Sequence, residues 1–93
     1  MIQKKWFHAT TLEALPSILS LGLIPNEDNE LYLARNYDEL IRFINLPVFK
    51  DLRKCKVVLS VKYVPSISNP DKYWELVANE SISPDNLKVH KYL

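Results

Sequence analysis

Residues 55–64 read CKVVLSVKYV, and in this run Val57, Leu59, Val61 and Tyr63 alternate with Val58, Ser60, Lys62 and Val64. A two-residue period of this kind belongs to a strand, because successive side chains leave a pleated backbone on opposite faces. The segment predicts a strand over Cys55–Val64, and the rest of the chain can be read outward from it. Downstream, Pro65 to Asp71 carries two prolines and reads as a loop, and Tyr73 to Ala78 reads as a further strand. Ser81-Ile82 is a short extended piece, and Ser83-Pro84-Asp85-Asn86 has the residue chemistry of a tight turn. Leu87 to Tyr92 (LKVHKY) alternates again and closes the sheet.

Upstream, the pattern turns helical. Tyr37, Leu40, Ile41 and Ile44 recur at i, i+3, i+4 and i+7, with Asn36 and Glu39 as a capping signal, so a helix is expected to start there and end before Pro47. Val48 to Lys54 is a connector. Leu31-Tyr32-Leu33-Ala34 reads as a strand, preceded by a polar turn over Asn26–Glu30. Leu12, Leu15, Ile18 and Leu19 also follow helical spacing. Thr10 followed by Glu13 fits a capping box, while Pro16 prefers a first-turn position, so the helix begins either near Leu12 or with a restart at Leu15. Gly22, the one glycine of the chain, sits where a helix C-terminal cap is wanted. Lys5-Trp6-Phe7-His8 is an aromatic first strand. The resulting order, β-α-β-α-β-β-β, gathers helices early and strands late, which favours an α+β fold over a doubly wound parallel sheet.

Composition bounds the function. With 93 residues, 47% of them hydrophobic and 25% charged, the chain is expected to form a single domain over residues 1–93 rather than a disordered segment. Twelve basic against eleven acidic residues leave a net charge of +1, so nucleic acid is not an expected partner on electrostatic grounds. Cys55 is alone, which excludes an internal disulfide framework and points to a reducing, cytoplasmic setting. No run of about 18 apolar residues is present, so no membrane span is expected. Glu13 and Pro16 interrupt the N-terminal apolar stretch that would otherwise resemble a signal peptide. One glycine cannot build a phosphate-cradling loop, and His8 and His90, without neighbouring thiols, give no metal-ligand spacing.

One constellation carries chemistry. WFHAT, a helix ending in SLGLIP, LYLARNYDELIRFI, the strand KVVLSVKYV and then YWELVANESISPDNLKVH together resemble the ADP-ribosyltransferase-like superfamily in its His-Tyr-Glu branch, over nearly the whole chain. The motifs are short and degenerate. The resemblance implies a split mixed or antiparallel sheet with two short helices, and NAD as substrate in a cleft between the halves. His8, with Thr10 two positions on, would contact the adenosine-side ribose and the carboxamide region. Tyr32 would stack on the nicotinamide ring, and Glu75 would hold the 2′-OH of the nicotinamide ribose, with Glu80 as the rival acidic residue. Arg35 would meet the pyrophosphate, although the family pattern does not require it. Cleaving the nicotinamide–ribose bond develops oxocarbenium character, which a carboxylate bonded to the 2′-OH stabilises.

Each of these residues also has a plain reading: His8 as a half-buried strand histidine, Tyr32 as a sheet-face aromatic, Glu75 as a solvated charge, Arg35 as a surface residue. Cys55 reads as inert and His90 as a strand surface residue. The chain is shorter than most active members of that superfamily, and an acceptor-recognition loop is evident only if Pro65 to Lys72 supplies it. The alternative is therefore an inactive module that binds a host protein through an apolar patch including Trp6 or Trp74. A nucleic-acid binder using Tyr and Trp stacking is a third and weaker reading.

Overall fold

The computed structural model describes residues 4–47, 54–64 and 75–93. Five strands form one sheet in the order β4-β2-β1-β3-β5: β1 Lys5–Thr10, β2 Leu31–Ala34, β3 Val57–Lys62, β4 Glu75–Ala78 and β5 Leu87–Tyr92. All four neighbouring pairs are antiparallel, so the expected α+β class holds, and of the mixed or antiparallel sheet expected the antiparallel form is the one present. The reason is topological. Helix α1 leads from β1 to β2 beside it, α2 carries the chain past β1 to β3 on its other side, and no two like-directed strands end up adjacent.

The strand expected at Cys55–Val64 is paired over Val57–Lys62, and the first strand runs on to Thr10, two residues beyond His8. The expected connector over 48–53, loop over 65–71 and strand residues 73–74 lie outside the described residues.

The sheet has two apolar faces of unequal size. On the first, Trp6, Leu31, Leu33, Val57, Leu59, Val61 and Leu87 are buried together. They are covered by helix α1 (Leu15–Leu21) through Leu15 and Ile18, and by the 79–86 crossing through Ile82. On the second face Phe7, Ala34 and Val58 pack beneath Tyr37, Leu40 and Ile41 of helix α2 (Tyr37–Ile44). Alternation along Val57–Val61 accounts for both clusters, since Val57, Leu59 and Val61 face one way and Val58 the other.

Local chemistry sets the helix ends. The Asn36 side chain accepts from the Glu39 amide at 2.8 Å, as the Asn-x-x-Glu pattern implies. The Thr10–Glu13 capping box does not form. Thr10 stays in β1, where its carbonyl accepts from the Lys56 amide, and the Thr11 hydroxyl instead accepts from the Ala14 amide at 3.2 Å. Helix α1 consequently restarts at Leu15 with Pro16 in its first turn, where the missing N–H costs nothing.

Gly22 ends α1 at φ 89°, ψ −177°, a region nearly closed to residues with a Cβ and distinct from the left-handed helical cap. Its neighbour Leu23 exchanges two backbone hydrogen bonds with Ile82, both of 2.9 Å. A Cβ at Gly22 would lie 2.1 Å from the Ile82 carbonyl oxygen. Replacing Gly22 by alanine is therefore expected to lower unfolding free energy by about 2 kcal/mol or more, from backbone strain and loss of that bridge. Urea denaturation measures this, and a variant as stable as the parent contradicts the assignment.

Candidate functional site

The sheet does not pair evenly. Between β1 and β3 the register runs without a break from Lys5↔Lys62 to Thr10↔Val57. Between β2 and β4 it runs from Leu31↔Ala78 to Ala34↔Glu75. Between β1 and β2 a single pair, Phe7↔Ala34, joins the strands. Beyond it no further pair joins the two strands, which divides the sheet into a β4-β2 ribbon and a β1-β3-β5 unit.

His8 lies one residue past that last pair. Its Nδ1 is 3.0 Å from the Tyr32 backbone carbonyl, so the imidazole spans the opening where ladder bonds would otherwise run. A carbonyl can only accept, which makes Nδ1 the protonated nitrogen and leaves Nε2 with its lone pair. Burial pushes the imidazole below its ordinary value of 6.5, and the hydrogen bond to Tyr32 offsets that only in part. His8 is thus a neutral ring in one tautomer, an acceptor at Nε2.

The other residues singled out in the sequence are distributed as follows. By the pleat, His8 belongs to the face of Trp6 and Thr10, whereas Tyr32, between the buried Leu31 and Leu33, belongs to the opposite face and is 43% exposed. The two are joined through the Tyr32 carbonyl, not through facing side chains. Glu75 occupies the first position of β4, directly opposite Ala34. Three positions distant in sequence therefore stand on three consecutive strands, β1, β2 and β4. Thr10 is buried at the end of β1.

Arg35 continues the line of β2, and its guanidinium carbon lies 5.5 Å from the centre of the Trp6 indole, a cation–π distance. Trp6 itself is only 2% exposed and donates its indole N–H to the Tyr63 carbonyl at 3.1 Å, so it can serve neither as a docking patch nor as a stacking platform. Trp74 lies outside the described residues.

Glu80, the rival acidic residue, accepts from the Tyr63 hydroxyl at 2.6 Å. That bond fastens the 79–86 crossing to the end of β3. Burial, then the hydrogen bond and the negative charge of Glu80, hold the Tyr63 phenol protonated up to about 12. This partnership was not legible locally, because Tyr63 and Glu80 are 17 residues apart. Cys55 is buried, and burial raises its thiol, which keeps it protonated. Among the described residues no group of three His, Cys, Asp or Glu side chains is placed to hold a metal ion, and no helix is long and apolar enough to cross a membrane.

No protein-family model, curated protein or solved structure matches this chain.

The lowered imidazole value carries a stability consequence with a definite sign. The folded chain resists a proton that the unfolded chain takes up near 6.5. Stability from this source is complete above that value and is lost as pH falls from there toward the folded midpoint. Denaturation at about pH 7.5 and about pH 5.5 should show a larger loss for the parent chain than for His8→Gln. Equal losses in the two proteins contradict a proton-resisting His8.

Proposed function

We propose that the opening between β1 and β2 binds NAD or ADP-ribose, and that the domain transfers ADP-ribose to a macromolecular acceptor or to water. The observation that carries this reading is the His8 bridge: one imidazole, held in a single tautomer, set across the line where the sheet parts. Nδ1 is occupied by the Tyr32 carbonyl, so Nε2 is suited to accept a hydrogen bond from a ribose hydroxyl. The exposed Tyr32 phenol offers a ring for the nicotinamide, with an offset-stacking or cation–π contribution of about 0.5–2 kcal/mol.

In this reading Glu75, at its register position on the adjoining β4, is the residue whose carboxylate is assigned to the ribose 2′-OH. As the C1′–nitrogen bond breaks, nicotinamide leaves with the bonding pair and positive charge develops at C1′. The carboxylate stabilises that charge, and the acceptor or a water molecule then attacks C1′ and gives up its proton. His8 and Tyr32 belong to opposite pleats, so in this reading the two rings meet the ligand from different sides of the β1–β2 line.

A second reading has its own observation. Leu12, Leu19, Leu21 and Ile24, on and around α1, are exposed apolar side chains, with Leu21 at 67%. Such a surface suits a protein-binding module.

Titration calorimetry separates the two readings. Binding of NAD or ADP-ribose that His8→Ala weakens about tenfold or more, and that Leu19→Ser/Leu21→Ser leaves intact, is expected. Absence of any heat at millimolar nucleotide removes the first reading and leaves the second.

A further inference from the structure

The net charge of +1 conceals a segregation that the fold creates. Strands β1 (KWFHAT), β3 (VVLSVK) and β5 (LKVHKY) contain four lysines and no acidic residue. All four lysines stand on the second face of the sheet. Lys5 is directly opposite Lys62, while Lys88 is opposite Ser60, which is itself opposite Phe7.

Lys91 reaches that face by a different route. Simple alternation from Lys88 would send it to the first face with Val89. An irregularity in the β3–β5 register, where Leu59 faces Val89 but Val58 already faces Lys91, inserts His90 as an extra residue and turns Lys91 over. Bulges re-aim side chains in this way.

Two features of the face do not serve folding. Like charges directly opposite each other on neighbouring strands are destabilising, as at Lys5 and Lys62, even with the Lys5 ammonium 5.6 Å from the centre of the Phe7 ring. Among the described residues, no acidic side chain forms an ion pair with Lys62, Lys88 or Lys91. The acidic residues of α2, the element packed on this face, are Asp38 and Glu39, and Glu39 is engaged by Arg42 at 3.3 Å.

The floor between the lysines is aromatic. The exposed His90 ring lies 5.0 Å from Phe7 and 5.1 Å from Tyr37, and the Lys91 ammonium is 5.8 Å from the Tyr37 ring centre. Within β1, β3 and β5 none of the large exposed apolar side chains stands on this face, although the 43% exposed Tyr32 of the neighbouring β2 does.

We propose that this face binds the phosphate backbone of single-stranded nucleic acid, independently of sequence and of the nucleotide site proposed above. Lysines act as point charges toward a phosphate chain without the bidentate geometry that reads bases, and the exposed His90 ring beside the half-buried Tyr37 offers a base a place to stack.

Fluorescence anisotropy with a labelled oligothymidylate of roughly 12 nucleotides at about 50 mM salt tests this on the full chain. Three to four lysine–phosphate contacts predict a log–log salt slope of about −2 to −3, since each contact on a single strand contributes about −0.7. Lys62→Gln/Lys88→Gln should weaken binding about tenfold and make the slope shallower by about 1.4, while Arg42→Gln, off this face, changes neither. Circular dichroism should show both variants folded, because the substituted side chains are exposed. No binding by the parent chain overturns the proposal, as does an equal loss in Arg42→Gln. Competition by poly-glutamate as effective as that of the oligonucleotide also overturns it, in favour of an acidic protein surface.

Discussion

An unbroken ladder ties β1 to β3, and one residue pair ties β1 to β2. The rest of the architecture follows from that imbalance. The chain visits the two parts of the sheet alternately: β1 in one, β2 in the other, then β3, β4 and β5 in turn. Every connection between successive strands therefore crosses the line of the opening. The parts are held together less by a ladder than by what the crossings bury, with α1 and Ile82 on the first face and α2 on the second. A weak seam in a sheet is a natural place for an inserted polar group, and His8 is that group.

This arrangement explains why single residues matter at the crossings. Gly22 permits the backbone of α1 to pass within bonding distance of Ile82, which fixes the path of the 79–86 segment over the core. Tyr63 and Glu80 fasten the same segment to the end of β3. Asn79 adds a third tie by donating to the Asn29 carbonyl at 2.8 Å, and Asn29 itself sits at φ 59°, a conformation asparagine tolerates better than most residues. The second face is less completely covered. Where α2 stops covering it, lysines begin, and their placement depends on a one-residue irregularity in β5.

Much of the fold was legible because its signals are local. The alternation in Val57–Lys62, the Asn36 cap and the boundaries of α2 are properties of a few consecutive residues, and each appears where the pattern puts it. The start of α1 was legible only as a pair of alternatives, since Pro16 fixes where a helix can begin but not whether Thr10 or Thr11 turns the chain toward it. Strand direction and order were out of reach, because antiparallel pairing throughout depends on crossings that no local signal encodes. The same applies to the site. The family resemblance raised His8, Tyr32 and Glu75 together, but the opposite pleats of His8 and Tyr32 follow from β1 and β2 pairing at Phe7↔Ala34. Charge was the least legible quantity. A sum over the chain averages away a face built by three strands and a bulge.

The seam and its bridging imidazole underlie both the fold's division and the proposed nucleotide site. They can be observed directly in solution through the two ring nitrogens of His8, by long-range proton–nitrogen correlation at neutral pH. One neutral tautomer is expected, with the proton on Nδ1 and none on Nε2. A proton on Nε2, or a ring averaging freely between tautomers, would mean that nothing holds the imidazole across the opening, and the central claim would fail.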